Sequence, residues 1–431
     1  MVNSGVPWLK EIPVDWKVER GKNVLVLQKR PVRDNDEVVT CFRDGEVILR
    51  SLRRTEGFTM SDKEIGYQGI NEGDIVIHGM DGFAGAMGVS KSTGKGSPVL
   101  VVCTPKYDAN PQYIIYHLRA LAMTDVFIAL ATGIRERSCD LRWNKVSELE
   151  FILPSSSEQR KIADFLDRKC SEIDEMVALQ EKVIEELKAY KQSVITEAVT
   201  KGLNPDVPMR DSGIEWIGQI PEHWGVCRVK DCLLNTKNNL RVGPFGSALS
   251  GNDICDTGEY WIYNQRTVLD GNFSTNNSFV TKEKYKELES FRVFPNDILI
   301  TTRGSIGKIA IVPSDAPIGI LHPCIIRFVI DESRYISRLL KRIFNESDFV
   351  LKQLRYQSNS TTIEVIYSYT LRNITLPNIP ITEQQAIANY LDEKCADIDS
   401  LIQTKQEKID SLKEYKKSII YEYVTGKREV V

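Results

Sequence analysis

Apolar side chains return at three-, four- and seven-residue steps at Ile173, Val177, Ile184, Leu187, Val194 and Ala198. The same spacing recurs at Ile398, Ile402, Ile409, Leu412, Ile419 and Tyr423, with Glu and Lys filling the positions between. One apolar stripe flanked by charge predicts a long amphipathic helix in each place. Gly202 and Gly426 stand where a left-handed residue would stop each helix. Ser156 or Ser157 in the first, and Thr382 in the second, are positioned to cap its leading turn. A helix of about 32 residues would extend about 48 Å, and its stripe needs cover. The two stripes suit one another as an antiparallel intramolecular coiled coil, with pseudo-twofold symmetry between the halves of the chain. The alternative is that each stripe packs on its own globular half.

Elsewhere the pattern is different. Residues 17–153 hold short β-like runs (VVTCF, EVILR, GDIVIHG, PVLVVC) separated by glycine-bearing turns, then a helical run, PQYIIYHLRALAM. Residues 225–376 follow the same grammar with YWIYNQ, NDILITTR, KIAIVP and IIRFVI, then SRYISRLLKRIF. GDIVIHGMDGFAG and NDILITTRGSIGK read as one strand-and-loop unit that has diverged. The expected class is α+β, with two mixed domains and two long helices.

Literal repetition supports this division. EQRKIADFLDRKCSEID at 158–174 returns as EQQAIANYLDEKCADID at 383–399, and KAYKQSVITEAVT as KEYKKSIIYEYVT, both 225 residues later. SGVPWLKEIPVDW at 4–16 returns as SGIEWIGQIPEHW at 212–224, 208 residues later. The difference in offset makes the second variable stretch 17 residues longer. A period this large means two similar halves rather than a short-repeat solenoid. The expected boundaries are a first domain at 1–157, a central helix at 158–203, a second domain at 204–382 and a C-terminal helix at 383–431. Trp8, Trp16, Trp216 and Trp224 in the shorter repeated strings read as packing anchors.

Composition narrows the classes. The chain of 431 residues is 42% hydrophobic and 27% charged, the balance of a water-soluble globular protein. It holds no apolar run of membrane-spanning length, and MVNSGVPWLKEIPVDW lacks the apolar core of a secretion signal. Nine scattered cysteines without a C-x-x-C pair argue against a disulfide framework or zinc site and for a reducing cytoplasm. Net charge is −3, yet segments 158–200 and 383–425 together carry −6, leaving +3 for the remainder. The domains therefore have basic residues to spare for a polyanion.

Catalytic signatures are missing. GFAGAMG (82–88) lacks the glycine spacing and following helix of a dinucleotide site, and GSIGK (304–308) runs into a strand where a phosphate loop needs a helix. There is no [DN]-P-P-[YF] string of an amino-methyltransferase and no cluster of His, Cys and acid residues. The polar loops instead suit nucleic-acid recognition. In the first domain the candidates are Arg53, Arg54, Lys91, Lys95, Arg135 and Arg137; in the second they are Arg241, Ser247, Arg266, Arg303, Lys308, Asn359 and Thr361. Arg and Asn can bond two atoms of a base edge at once, while Lys and Ser serve phosphates. Each residue taken singly also fits an ordinary solvated surface position. The candidates for interhelix packing are Ile173, Val177, Ile184, Leu187 and Val194 against Ile398, Ile402, Ile409, Leu412 and Ile419.

Two unlike domains, each followed by a helix carrying EQ-x-x-IA-x-x-LD-x-KC-x-x-ID, resemble the specificity subunit of type I restriction–modification systems. The resemblance covers essentially the whole chain. RVGPFGSAL (241–249) is similar to a frequent opening of the family's target recognition domains; the first domain has QKRPVRDNDE there and departs from it. RDGEVILRSLRRTEGF and GDIVIHGMDGFAGAMGVSKSTGKGSP resemble another variant of such domains, which implies that the halves read different sequences. The resemblance implies a non-catalytic subunit that binds an asymmetric, bipartite double-stranded DNA target, with the helices setting the gap. It further implies no cofactor of its own, two partner methyltransferase subunits that use S-adenosylmethionine, motor-nuclease subunits where the system has them, no membrane, and a cytoplasmic location. A self-contained DNA methyltransferase or nuclease, and a helical scaffold that ignores DNA, stay open on the residues alone.

Overall fold

The structure is a computed structural model that describes residues 1–53, 65–124, 126–129, 141–275, 278–357 and 365–430. The chain folds as two compact units, residues 1–182 with 405–431, and residues 183–404. Each of the long helices, Ser156–Lys201 and Ile381–Val424, contributes one segment to each unit.

In the first unit, strands Leu25–Leu27, Leu100–Pro105, Ile75–His78 and Met87–Val89 lie side by side in that order, all antiparallel. The helix Pro111–Met123 packs on them; proline occupies its first turn and the Asn110 side chain accepts the Tyr113 N–H, an efficient start. In the second unit, strands Leu240–Val242, Ile325–Phe328, Ile298–Thr301 and Ile309–Ile311 repeat the order and sense, and the helix is Ser337–Glu346. The second unit adds a three-stranded sheet of Phe279–Val280, Tyr260–Tyr263 and Gly319–Leu321. The runs read as strands are strands, and the two diverged strand-and-loop strings occupy the same place in the two sheets.

A buried aspartate precedes each of those matched strands. Asp74 and Asp297 are 2% and 3% exposed; each carboxylate accepts a backbone N–H of its own turn, from Asn71 and Phe294, and each meets a guanidinium, Arg30 and Arg327. The residue before each, Gly73 or Asn296, is left-handed (φ 87° and 68°). A buried charge needs this density of partners to offset its desolvation.

The repeated strings explain themselves letter by letter. Glu158 accepts the Trp16 indole N–H at 3.3 Å, and Glu383 accepts that of Trp224 at 3.1 Å. The adjacent glutamines are buried. Gln159 accepts the Asn110 N–H and donates to the Pro154 carbonyl; Gln384 accepts the Ile336 N–H and donates to the Ile379 and Arg334 carbonyls. Asn110 and Ile336 are the residues that start the two domain helices, so each glutamine ties a long helix to its domain. Ile162, Ala163, Leu166 and Cys170 enter one apolar core, and Ile387, Ala388, Leu391 and Cys395 enter the other. Asp167 accepts from Tyr116 and Gln112, as Asp392 does from Arg338 and Arg342.

The last aspartate of each string reaches the other long helix. Asp174 pairs with Lys416 at 2.6 Å and Asp399 with Lys191 at 2.8 Å, the same pair at the 225-residue offset. In the first unit Glu181 also meets Lys413, so contacts fall in number on one helix as they rise on the other: the helices are antiparallel. Ile173 shares a core with Ile419, with Val177 and Leu412 packed against it; Val194 shares one with Leu391 and Cys395. Ile184, Ile398 and Ile409 are buried, while Leu187 and Ile402 are half-buried. Both arrangements foreseen for the stripes therefore occur within a unit, since each helix packs on its own domain first and on the other helix afterwards.

Two details of the helices differ from expectation. They have 46 and 44 residues, as the expected 158–203 boundary and the glycine stops imply, so the figure of about 32 residues understated the length. Ser155, one residue earlier than expected, accepts the Glu158 N–H in the first, whereas Thr382 lies inside the second, whose start uses the Pro380 carbonyl. The helices stop at Gly202 and Gly426, both left-handed (φ 77° and 68°). A Cβ on Gly426 would stand 2.4 Å from a Pro13 ring atom, so backbone conformation and packing both demand glycine. No described helix is long and apolar enough to cross a membrane.

His117 lies fully buried between Trp8 and Phe151, and its Nε2 accepts the Ile152 N–H at 3.2 Å. Burial pushes its pKa down to about 3. In the unfolded chain the imidazole takes up a proton near its ordinary value of about 6.5, so the unfolded state binds more protons below that point. The contribution of this site to stability is complete above about pH 6.5 and is lost as pH falls toward 3. His117→Gln, which keeps an acceptor for Ile152, is expected to flatten the acid limb of stability against pH, measured by urea unfolding between pH 4 and 7.

Candidate nucleic-acid interface

In the second unit, five segments converge on one end of the four-stranded sheet. The strand Ile298–Thr301 runs into a tight turn in which the Thr302 N–H reaches the Cys324 carbonyl at 3.0 Å and the Thr302 carbonyl accepts the Ile366 N–H at 2.9 Å. His322 bonds back to Tyr263, whose strand leads into the short helix Gln265–Asp270. Gly243 donates to Ile325 and presses so closely on the His322 carbonyl that a Cβ would stand 2.1 Å from its oxygen. The Gln265 amide lies 3.3 Å from the Cβ position of Gly304. Backbone bonding thus holds the loops at 243–249, 302–307 and 322–324 and the start of the Gln265 helix against one another.

Several of the expected side chains lie on this end. Arg303 is exposed at the turn and makes no ion pair with any described residue. Burial, and then the nearby Arg303 charge, lower the pKa of His322, which places that charge beside the 322–324 loop. Arg266 follows Gln265, with its side chain 84% exposed and Asp270 at 3.2 Å. Ser247 is exposed in the loop after Gly243. Arg241 is partly committed: its guanidinium donates to Ser290 at 2.9 Å and lies 4.5 Å from the Phe291 ring centroid. Lys308 is a structural tie, its ammonium donating to the Asn345 carbonyl at the end of the domain helix. Arg327, which the loop-based reading passed over, is buried and paired with Asp297.

The first unit has the same turn. The Gly79 N–H reaches the Val99 carbonyl at 2.9 Å, and the Gly79 carbonyl accepts the Leu141 N–H at 2.8 Å. Leu141 and Ile366 stand at the 225-residue offset, so the duplication extends into loops whose sequences no longer show it. Arg53 and Lys91 lie in an ionic cluster: Arg53 meets Asp44 and Glu46 and stacks 4.3 Å from the Phe42 centroid, and Lys91 meets Glu46 at 3.1 Å. The Arg53 hydrogen bonds hold the Asp44 carboxyl below the usual carboxylate range. Lys95 is half-buried on the strand Gly94–Gly96. Arg54, Arg135, Arg137, Asn359 and Thr361 lie outside the described residues.

Three residues at these sheet ends were missed by the reading of the sequence. Phe245 is 87% exposed, although Pro244 before it and Leu249 after it are buried. Met80 is 60% exposed in the first unit's turn. Gln265 begins the helix beside Gly304. The available signal was an apolar residue held in a glycine-flanked loop, as in GPFG and HGMDG, where chain geometry rather than burial sets its position.

The family model described as the type I restriction modification DNA specificity domain matches residues 242–414. The chain is 23% identical to the "Putative type I restriction enzyme MjaX specificity subunit" of Methanocaldococcus jannaschii, over 97% of this chain and 95% of that protein. It is 28% identical to the "Type I restriction enzyme EcoBI specificity subunit" of Escherichia coli, over 58% of this chain and 52% of that one. Among solved structures, a chain from work on the "Structural basis underlying complex assembly and conformational transition of the type I R-M system" superposes with a TM-score of 0.72 at 15% identity, covering 97% of this chain and all of that one. The HsdS subunit from Thermoanaerobacter tengcongensis gives a TM-score of 0.54, also at 15% identity, covering 99% of this chain and all of that one. At these identities the superpositions establish the fold.

Proposed function

Since this chain belongs to the specificity subunits of type I restriction–modification systems, we propose that it gives such a complex its DNA sequence preference, each unit reading one half of an asymmetric, bipartite duplex target. The observation that carries this reading is that two units of one plan present unlike side chains on equivalent sheet ends. Arg303, Arg266, Gln265 and Phe245 stand on one, and Met80 beside the Arg43–Asp81 ion pair on the other. Exposed arginine suits base edges and phosphates in the major groove. The long helices are assigned the role of setting the gap between the half-sites. Chemistry is assigned to partner methyltransferase subunits that hold S-adenosylmethionine, in the cytoplasm, with motor-nuclease subunits joining where the system has them.

Two methyltransferase copies are favoured by a second duplication, one that burial does not explain. Met176 and Leu401 stand at the 225-residue offset and are 41% and 51% exposed; Tyr190 and Tyr415 do likewise at 58% and 52%. Met176 and Tyr415 belong to the first unit, Leu401 and Tyr190 to the second, so each unit carries one exposed apolar pair drawn from both helices. Apolar side chains kept twice at the surface suit two docking sites for one kind of partner.

Replacing residues 225–376 by the corresponding segment of another such subunit is expected to change one half-site only, read by mapping methylated positions in a genome; a change in both halves counts against the division. Tyr190→Asp and Tyr415→Asp singly are expected to leave one methyltransferase copy per chain, and the double variant none, measured by the mass of the purified complex. Two copies retained by the double variant would exclude these residues as docking sites.

A further inference from the structure

The two matched turns place one exposed residue per unit on a backbone of the same geometry. In each, the residue before it donates its N–H to the neighbouring loop (Gly79 to Val99, Thr302 to Cys324) and accepts from the chain entering the last part of the domain (from Leu141, from Ile366). The residue that follows is Met80 in the first unit and Arg303 in the second. Both follow the third strand of a four-stranded sheet whose order is the same in the two units. A position next to a residue held by two backbone bonds, solvent-facing, and occupied by chemically opposite side chains in otherwise matching frames is what a change of specificity on a fixed scaffold requires.

We propose that Met80 and Arg303 occupy the same base-reading position of the two units: Arg303 donates two parallel N–H groups to O6 and N7 of a guanine in the major groove, and Met80 packs on the methyl group of a thymine. This rests on the DNA-reading function proposed above and deepens it. The planar guanidinium fork matches the O6 and N7 acceptors of the guanine edge, and an unbranched thioether is apolar and adaptable enough to cover a methyl group. Asp81 beside Met80 is already paired with Arg43 at 3.0 Å, and among the described residues Arg303 has no acid partner to release before it meets a base.

The test uses the full-length chain with its methyltransferase subunits, and duplexes carrying the target found by methylation mapping, each with one base pair changed. The wild type is expected to lose about 5- to 150-fold in affinity when one particular G·C pair of the second half-site is replaced. Arg303→Met should abolish that discrimination and Arg303→Lys should reduce it, and both should leave the first half-site unchanged and keep the wild-type melting temperature. Met80→Arg should create a preference for G·C at one position of the first half-site. If Arg303→Met weakens every duplex by one common factor and lowers the salt dependence of binding by about one counterion, Arg303 contacts phosphate and the proposal is overturned. Discrimination retained in full by Arg303→Met overturns it too. A wild-type complex with no sequence preference would instead overturn the DNA-reading function itself.

Discussion

An indole N–H donated to a first-turn glutamate is the hinge of each unit. Trp16 bonds Glu158 at the start of one long helix while its ring lies against Gly426 at the end of the other. Trp224 does the same between Glu383 and Gly202. Only antiparallel helices bring a start and an end to one ring, so this contact dictates their direction. It also dictates the glycine, since a Cβ on Gly426 would meet Pro13 and the Trp16 ring. The buried glutamine next in sequence then fixes the domain to the helix by completing the hydrogen bonding at the start of the domain's own helix. Leaving such a buried N–H unpaired costs about 1–3 kcal/mol, far more than the exposed Asp174–Lys416 pair can supply.

The duplication therefore separates two kinds of selection within one chain. Residues that hold helix to helix and helix to domain recur in both halves, the tryptophan strings 208 residues apart and the helix strings 225, because both units solve the same packing problem. Residues on the far end of each sheet have no such constraint and have diverged, although the backbone bonds beneath them still match. A recognition surface can change there without disturbing the core, since the Asp74 and Asp297 turns, the strand order and the glutamine ties lie behind it.

Much of this was legible in the residues. The stripes, the strands, the equivalence of the GDIVIHG and NDILITTR strings and the anchoring role of the tryptophans all follow from periodicity and repetition, which report burial directly. The figure of about 32 residues covered only the stripe; the EQ strings within the expected boundaries bury Ile162 and Ile387 on their own domains, outside that stripe. The candidate interface was less legible. Lys308 and Arg303 look alike in sequence, yet one is bound to the Asn345 carbonyl and the other is exposed. Arg53 and Lys91 carry acid partners contributed by Asp44 and Glu46, which no local pattern announces. Met80 was passed over because chemistry was sought among polar residues, and the likeness of its turn to that of Arg303 becomes visible only when the two are matched bond by bond.

The central claim is that the first unit is completed by residues more than two hundred positions downstream. Hydrogen exchange of the chain ending at Thr404, compared with the full chain, tests it most directly. The account predicts that amides of Gln112–Leu121 and of residues 158–173 lose protection while those of residues 298–328 keep it. Protection of the first unit unchanged by the loss of residues 405–431 would contradict it.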